Sequence, residues 1–172
     1  MNENKLTNRN YIIIDSTAII HILAKSELKN EDVIFVVPSI VKDELKSFQA
    51  RTTLELLDAE NMIMYTNPSS ESLDKIKSSA IETGDFETLS EQDKHILALA
   101  LDYSDSVVMS DDNAIQNVCS HLNIPMKPYA FEIKEKRKYF WKCTVCGKKF
   151  ETKKDQCIEC GSPVKRFYFK KR

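Results

Sequence analysis

The sequence predicts an α/β fold, an α/β/α sandwich with a mostly parallel central sheet, followed by a small cysteine-rich second domain. Short apolar runs alternate with longer helical patterns as far as residue 130, which is typical of a parallel sheet covered by helices on both faces. The alternation then stops at a basic stretch, and two C-x-x-C pairs follow it. With 172 residues, the chain is long enough for one ordinary core and a small appendage.

Short runs of apolar, often β-branched residues predict the strands. Their length and composition are those of strands buried on both faces of a sheet. The predicted strands are 11–14, 33–37, 62–65 and 106–109, with a short fifth near 124–127.

Apolar residues repeating at helical spacing predict the helices between these strands. The pattern is clearest within 90–103, where Ile96, Leu97, Leu99, Ala100 and Tyr103 repeat at helical spacing. Gly84 is placed to end the third helix in a left-handed conformation. The predicted helices are 16–25, 39–60, 70–83, 90–103 and 112–122.

The composition excludes a membrane protein. Hydrophobic residues make up 42% of the chain and charged residues 30%, as in soluble globular proteins. No apolar run approaches the roughly 20 residues that span a bilayer, and the polar segment 1–10 lacks the apolar middle of a signal peptide. We therefore expect a cytoplasmic protein.

Charge is distributed unevenly along the chain. Of its 25 basic and 26 acidic residues, segment 132–172 holds 14 and 5, which leaves 11 and 21 for the rest. A polyanion such as RNA would be attracted to the basic segment and repelled by the acidic body. The alternative is that the segment only solubilises the chain.

Four cysteines in "CTVCGKKFETKKDQCIECG" have the spacing of a tetrathiolate metal site. Each C-x-x-C pair is followed by a glycine, which supplies the positive φ that such a turn needs. Two turns facing each other form a closed site suited to structural Zn²⁺, and rubredoxin-type iron is the alternative. The predicted ligands are Cys143, Cys146, Cys157 and Cys160. A disulfide is disfavoured in a reducing compartment, and Cys119 is interpreted as a core residue.

Lysines and aromatic residues surround these cysteines, a combination that favours RNA because cations bind phosphate and rings stack on bases. The predicted RNA-binding residues are Lys142, Lys148, Lys149, Lys153, Lys154 and Trp141. We expect at least one ring to point into the ribbon core and others to point outward. The resulting domains are 8–131 for the α/β body, 132–140 for a basic linker and 141–170 for a zinc ribbon.

Carboxylates recur where predicted strands end or helices begin. They are Asp15, Glu44, Asp93, Asp111 and Asp112. In a doubly wound sheet these places meet along one edge, at the topological switch point. Converging carboxylates repel one another, and hard oxygen ligands suit Mg²⁺ or Mn²⁺, which activate water for phosphodiester cleavage. Ser16, Thr17 and Ser110 are candidates to orient the carboxylates.

Helix capping is the alternative for the same acids, because aspartate is a preferred N-cap residue. Ser90-x-x-Asp93 resembles a capping box, and Asp15 and Asp112 are also placed to cap helices. Glu44, well inside the predicted 39–60 helix, has no such explanation.

The quoted motifs resemble those of PIN-domain ribonucleases. Four stretches are similar to the four acidic motifs of that family: Asp15 with the following Ser and Thr, "VKDEL", "LSEQDKHILALAL" and "VMSDDNAIQNV". The last motif aligns Asp112 with the family aspartate and leaves Asp111 in the variable place. The resemblance implies a PIN-like fold and a catalytic set of Asp15, Glu44, Asp93 and Asp112 with Asp111 assisting, of which Asp15, Asp93 and Asp112 bind Mg or Mn.

A PIN domain with "DNAIQNV" and a C-terminal four-cysteine ribbon resembles the archaeal Nob family of ribosome-biogenesis endonucleases. That resemblance implies metal-dependent cleavage of a single-stranded precursor at the 3′ end of small-subunit (16S) rRNA, on a pre-30S particle. It also adds a KH-domain assembly factor to the expected partners.

Three other functions remain open from the sequence. The first is a toxin-type PIN ribonuclease acting on tRNA or mRNA, although such toxins usually lack a ribbon. The second is a non-catalytic RNA-binding scaffold whose acids are caps. The third is a phosphoryl-transfer domain of the response-regulator type, which needs a buried lysine near the last strand, where Lys127 lies.

Overall fold

A computed structural model describes residues 10–15, 17–19, 33–44, 47–130 and 132–169. Five parallel strands form the central sheet: β1 (Asn10–Ile14), β2 (Val33–Pro38), β3 (Ile63–Thr66), β4 (Val107–Met109) and β5 (Met126–Lys127). The helices between them are α1 (Ser39–Glu44), α2 (Phe48–Ala59), α3 (Ser70–Thr83), α4 (Glu91–Asp102) and α5 (Asn113–Leu122).

The strand order is β3-β2-β1-β4-β5, so the chain leaves β1 towards one edge of the sheet and later returns to its other side at β4. All four pairings are parallel. The crevice between the carboxyl ends of β1 and β4 is therefore the topological switch point, where α/β sheets bind ligands.

Side chains of the strands alternate between two hydrophobic cores, one on each face of the sheet. On one face, Ile13 and Val36 pack with apolar residues of α3, α4 and α5. On the other face, Ile14 and Phe35 pack with α2 and with Ala18. The sandwich predicted from the alternating strand and helix patterns is confirmed, and Cys119 lies fully buried in the first core.

The predicted helix 39–60 is wrong as a single element. α1 ends at Glu44, and α2 begins after Ser47, whose extended backbone and side-chain bond to the Ala50 amide make it an N-cap. Serine competes for the backbone in this way, and apolar periodicity does not reveal it. Glu44 is therefore the last residue of a short helix and not an interior residue. Of the predicted helix 16–25, only 17–19 is described, and it is helical.

A second, antiparallel sheet has the order β7-β6-β8 and carries the cysteines. Its strands are β6 (Tyr139–Cys143), β7 (Lys149–Phe150) and β8 (Val164–Tyr168). β6 begins at Tyr139, slightly before the predicted start of the ribbon at 141. None of the helices in the described parts of the chain combines the length and apolar character that crossing a bilayer requires.

The ribbon is joined to the α/β body through the loop after α3. Gly84 ends that helix with φ of 74°, as predicted, and a Cβ there would lie 2.6 Å from the Tyr139 carbonyl oxygen. The next residue, Asp85, is buried at 1% exposure and accepts a hydrogen bond from Arg166 of β8 at 2.6 Å. The Arg166 guanidinium also lies 3.6 Å from the centre of the Tyr139 ring.

Candidate active site

Asp15 lies directly after β1 and is almost completely buried, at 4% exposure. Its Oδ1 accepts hydrogen bonds from the Thr17 hydroxyl at 2.8 Å and from the Ala18 amide at 2.6 Å. Its Oδ2 accepts a bond from the Ser110 hydroxyl. Asp15 therefore caps the helical turn that follows β1, and its carboxylate is held rigidly at the carboxyl edge of the sheet.

Ser110 connects the ends of β1 and β4. Its hydroxyl donates to Asp15 and accepts from the Asp112 amide at 3.0 Å, so one buried side chain fixes both segments. Asp112 is the N-cap of α5, where Oδ1 accepts from the Ala114 and Ile115 amides. The Asp112 side chain is exposed, so it presents its charge to solvent at the mouth of the crevice.

Asp93 comes from the first turn of α4. With Ser90 it forms the predicted capping box, in which Oδ2 accepts from the Ser90 amide at 2.8 Å. Burial raises the pKa of Asp93 above its ordinary value, and the negative charges of Asp112 and Asp15 raise that pKa further against the opposing Ser90 hydrogen bonds. Asp15 and Asp112, from two other segments, thus lie close enough to Asp93 to act on its charge.

These three carboxylates act as helix caps, and two of them lie close enough to the third to act on its charge. Their role as metal ligands stays a prediction. They do not form a compact cage: among the described residues, the four cysteines are the group close enough together to hold a metal ion. In its cap, Asp93 uses Oδ2 and Asp112 uses Oδ1. The atoms that could bind a metal ion here are carboxylate oxygens. These are hard ligands, the type that Mg²⁺ and Mn²⁺ prefer.

The two other predicted catalytic acids have different positions. Asp111 accepts hydrogen bonds from the Tyr129 and Ala130 amides, which positions the segment after β5. Glu44 ends α1, and its side chain lies outside the described residues, as does Ser16. Lys127, which the response-regulator alternative would need buried, is exposed in β5.

The cysteine cluster has the geometry of a zinc site. The four Sγ atoms lie within 4.8 Å of one another, and the Cys143–Cys160 and Cys146–Cys157 separations are 3.5 Å. A tetrahedral Zn²⁺ with Zn–S bonds of about 2.3 Å requires S–S distances of about 3.8 Å, so small adjustments suffice. Hydrogen bonds from Ser162 lower the pKa of Cys160 to about 6, whereas the hydrogen bonds of Cys146 with Cys143 and Cys157 outweigh that from the Lys148 amide and raise the pKa of Cys146 to about 12. The zinc assignment therefore rests on the positions of the four sulfurs.

The predicted RNA-binding lysines lie on the ribbon surface, where Lys149, Lys153 and Lys154 are exposed and Lys142 is half-buried. Lys148 forms an ion pair with Glu159. Trp141 is half-buried and packs with Phe150 against the cysteine core, so it is an inward ring of the kind expected. The outward rings are at Phe167, Tyr168 and Phe169.

Sequence reasoning missed the polar residues that hold the linker. Gln116 and Asn117 are buried in α5, and their side chains bond the backbone at Ile133 and Arg137. Asn117 also donates to Asp85 at 2.6 Å. Adjacent amides inside an otherwise apolar helix, in "AIQNV", were the available signal.

Comparisons with known proteins identify the family of this chain. The family model described as the PIN domain of ribonuclease matches residues 12–103, more than half of the chain. An endoribonuclease Nob1 from Pyrococcus abyssi is 37% identical over 76% of this chain and 81% of its own length. A ribonuclease VapC1 from Thermoplasma acidophilum is 36% identical over 93% of this chain and 79% of its own.

A third relative, the 20S-pre-rRNA D-site endonuclease NOB1 of Saccharomyces cerevisiae, is 33% identical over 58% of this chain and 21% of its own length. The family match covers β1 to α4 and therefore includes Asp15 and Asp93. This chain belongs to the PIN-domain ribonuclease family, as an endoribonuclease that resembles the archaeal Nob1 proteins and carries a four-cysteine ribbon after its nuclease domain.

Proposed function

We propose that this endoribonuclease is metal-dependent and matures the 3′ end of small-subunit (16S) rRNA by cutting a single-stranded precursor. The observation that carries the chemistry is the convergence of Asp15, Asp93 and Asp112 at the switch point of a parallel sheet. The name of the yeast relative supports an rRNA precursor as the substrate. We place the reaction on the assembling pre-30S particle, with a KH-domain assembly factor as an expected partner.

Asp15, Asp93 and Asp112 are the residues that would hold Mg²⁺ or Mn²⁺. A divalent cation bound there supplies Lewis-acid activation of water and neutralises charge on the phosphodiester. The chain itself supplies rigid orientation, because Thr17, the Ala18 amide and Ser110 fix the Asp15 carboxylate. Asp112 is the exposed member of the set, whereas Asp15 is buried and Asp93 half-buried, so its carboxylate is the most accessible from solvent.

The ribbon would hold zinc through Cys143, Cys146, Cys157 and Cys160, with a structural role. A closed tetrathiolate site leaves no open coordination position, and small ribbons of this kind depend on the metal for folding. Because the α/β body is acidic, the basic ribbon is the part suited to hold the RNA.

The similarity to ribonuclease VapC1 supports a second candidate, a toxin-type ribonuclease acting on tRNA or mRNA. Both candidates use the same three carboxylates, so the substrate separates them. The four-cysteine ribbon does not separate the two candidates, because the match to this VapC1 covers 93% of the chain and therefore extends into the ribbon. The names of the Nob1 relatives and of the yeast pre-rRNA endonuclease favour the rRNA candidate.

The test is to incubate the zinc-loaded chain and Mn²⁺ with a small-subunit RNA fragment spanning the mature 3′ end, with tRNA and mRNA fragments in parallel, and to map the product ends. We expect a single cut in the precursor, loss of cutting with Asp15→Asn, and full cutting with Asp74→Asn, which changes an exposed carboxylate of α3. Preferential cutting of tRNA or mRNA would support the toxin candidate. Unchanged cutting by Asp15→Asn would contradict the proposed site.

A further inference from the structure

One buried amide side chain, that of Gln116 in α5, lies between the end of β4 and the linker. Gln116 is 1% exposed. Its Nε2 donates to the Ser110 backbone carbonyl at 3.2 Å, and its Oε1 accepts from the Ile133 amide at 2.8 Å. Ile133 is also buried and belongs to the segment that leads to the ribbon. A single side chain therefore connects the residue that follows β4 with the backbone of the linker.

The two hydrogen bonds fix the orientation of the Gln116 amide. A backbone N–H can only donate, and a backbone carbonyl can only accept. The Ile133 amide therefore requires Oε1 and the Ser110 carbonyl requires Nε2, so the reversed amide would lose both bonds. Since buried polar groups that lose their partners cost free energy, the contact with Ile133 also holds the donor that reaches Ser110.

Ser110 extends this arrangement into the acidic site. Its hydroxyl donates to Asp15 and accepts from the Asp112 amide at 3.0 Å, while its carbonyl accepts from Gln116. Ser110 is 2% exposed, so water does not compete freely for these bonds. A continuous chain of hydrogen bonds therefore runs from Ile133 through Gln116 and Ser110 to the Asp15 carboxylate and the Asp112 backbone.

Attachment of the linker accounts for only one of the two bonds of Gln116. The Ile133 amide needs an acceptor, and Gln116 supplies one. The donor of the same side chain is directed at Ser110, whose hydroxyl holds the Asp15 carboxylate. Groups that orient a metal ligand commonly change metal affinity or activity by about 10–100-fold when they are removed. Gln116 holds the backbone of such a group.

We propose that Gln116 is a positioning residue for the carboxylates of the acidic site, and that through it the linker backbone at Ile133 helps to set the geometry of that site. The inference rests on the proposed function for the role of the carboxylates and adds a residue outside the acid set on which that role depends. Without the Gln116 amide, Ser110 is free to shift, and Asp15 and Asp112 lose their fixed relative position. Because functional groups must be held to within about 0.5 Å, a small shift is sufficient.

The first measurement is amide hydrogen exchange of the full zinc-loaded chain without Mg²⁺ or Mn²⁺. Gln116→Met keeps the length of the side chain and removes both hydrogen-bonding atoms. We expect the Asp112 amide, which donates to Ser110, to exchange about tenfold faster, since loss of a buried hydrogen bond changes local stability by about that factor. The Leu73 amide of α3, which donates to the Ser69 carbonyl, should exchange at the wild-type rate.

The second measurement is Mn²⁺ affinity, followed by the broadening of the Ala18 and Ala114 amide signals. These amides donate to the Asp15 and Asp112 carboxylates. Gln116→Met should raise the Kd for Mn²⁺ about tenfold and lower the maximal rate of cleavage of the precursor fragment by about as much. The Kd for the same RNA without Mn²⁺ should stay within about twofold, because a buried side chain does not contact RNA.

Two further variants separate positioning from stability. Gln116→Glu keeps an acceptor for the Ile133 amide, but its ionised carboxylate has no donor for the Ser110 carbonyl. It should therefore slow cleavage as Gln116→Met does, although the linker stays attached. The matched control is Ser72→Ala, which removes a buried hydroxyl that donates to Asp102 at 2.6 Å. Ser72→Ala should keep cleavage and the exchange of the Asp112 amide within about twofold of the wild type.

An Asp112 amide that exchanges at the wild-type rate in Gln116→Met would overturn this inference, as would a Kd for Mn²⁺ that stays within about twofold. Equal losses of cleavage in Gln116→Met and Ser72→Ala would also overturn it, because stability alone would then explain both. If exchange and Mn²⁺ affinity change as expected and the wild type cleaves none of the RNAs, this inference is supported and the proposed function is overturned.

Discussion

Each residue of the acidic site has two roles that sequence patterns cannot separate. Asp15, Asp93 and Asp112 all cap helical segments, which neutralises part of their charge with backbone N–H donors. Asp15 and Asp112 also raise the pKa of Asp93 at the carboxyl edge of the sheet, in addition to the larger effect of its burial. A capping aspartate is therefore compatible with a metal ligand, because a cap leaves part of the carboxylate for another partner.

Asp93 gives the site a measurable pH dependence. Its raised pKa means that folded Asp93 retains its proton above the ordinary value of 3.8, so the folded state binds more protons than the unfolded state. Without divalent metal, the contribution of Asp93 to the free energy of unfolding should therefore fall as the pH rises through the folded pKa. Because hydrogen bonds from Ser72 and Ser69 outweigh burial and lower the pKa of Asp102, the slope of the whole protein also contains opposite contributions. The contribution of Asp93 is the difference between the wild type and Asp93→Asn, and Mn²⁺ should oppose its fall.

Thermal unfolding of both proteins across the acid range, with and without Mn²⁺, measures these changes. The matched control is Asp74→Asn, at an exposed site of α3. A stability difference between metal-free wild type and Asp93→Asn that shifts in favour of the wild type as the pH rises would show that burial does not dominate the titration of Asp93.

Ser110 should matter more than its size suggests. Ser110→Ala removes the hydroxyl that joins buried Asp15 to the Asp112 backbone, so we expect a loss of about 1–3 kcal/mol in the free energy of unfolding and weaker cleavage. The control is Ser106→Ala, since the buried Ser106 hydroxyl has no hydrogen-bond partner among the described residues. Urea denaturation that finds the two variants equally stable would contradict this role.

At the scale of elements, apolar patterning predicted where the chain forms strands and helices. Helix 70–83 matches α3 at both ends, because Ser69 caps it and Gly84 ends it with signals visible in the sequence. The break before α2 was missed, since it depends on the conformation of Ser47 and not on periodicity. The pairing of β1 with β4 brings the carboxylates together. The sequence predicted it only through the general rule that ligand sites lie at the switch point of α/β sheets.

Helix α5 has a second function that its apolar pattern conceals. Asn117 is fully buried and bonds to the Arg137 backbone at 2.8 Å through both its amide nitrogen and its carbonyl oxygen, and it also donates to Asp85. The predicted linker 132–140 is therefore attached along α5, where Ile133 is also buried. The ribbon strand β6 consequently starts from a defined position.

Asn117→Ala should loosen this segment, because the Arg137 amide loses the Asn117 acceptor. Asp85 and the Arg137 carbonyl each lose one partner, and they keep Arg166 and His121. The expected loss in free energy of unfolding is about 3 kcal/mol. Hydrogen exchange should accelerate at the Arg137 amide more than at amides of α3, and trypsin should cut sooner among the lysines of 132–138. Asn113→Ala, at an exposed position of the same helix, should leave both measurements unchanged. Equal protection of Arg137 in both variants would contradict the attachment.

At the scale of the whole molecule, an ion pair between buried Asp85 and half-buried Arg166 joins the nuclease body to the ribbon. Asp85 and Arg166 are far apart in the sequence, and nothing in the local pattern around either one indicates the partner. The sequence predicted two domains and their chemistry, whereas their junction depends on one side-chain pairing between distant loops and strands. A fixed junction allows RNA held on the ribbon to be presented to the acidic site in one orientation.

Arg166→Met should weaken the coupling between the nuclease body and the ribbon, so that the ribbon unfolds more easily than the body. It leaves the 1%-exposed Asp85 carboxylate with one charged partner fewer and removes the contact with the Tyr139 ring. We expect a loss of about 3 kcal/mol, measured by urea denaturation, and an earlier unfolding transition for the ribbon. Lys165→Met, the exposed neighbour in β8, is the control. A single unchanged transition in Arg166→Met would contradict the role of this pair.

The most direct test of the central claim is residue-resolved Mn²⁺ binding by NMR. Sub-stoichiometric Mn²⁺ added to the zinc-loaded chain should first broaden the amide signals of Ala18, Asp93 and Ala114, which begin the three helical segments around the carboxylates. Asp93→Asn should weaken this broadening, while Asp74→Asn should not. Broadening spread over the acidic surface, or unaffected by Asp93→Asn, would contradict a shared divalent-metal site.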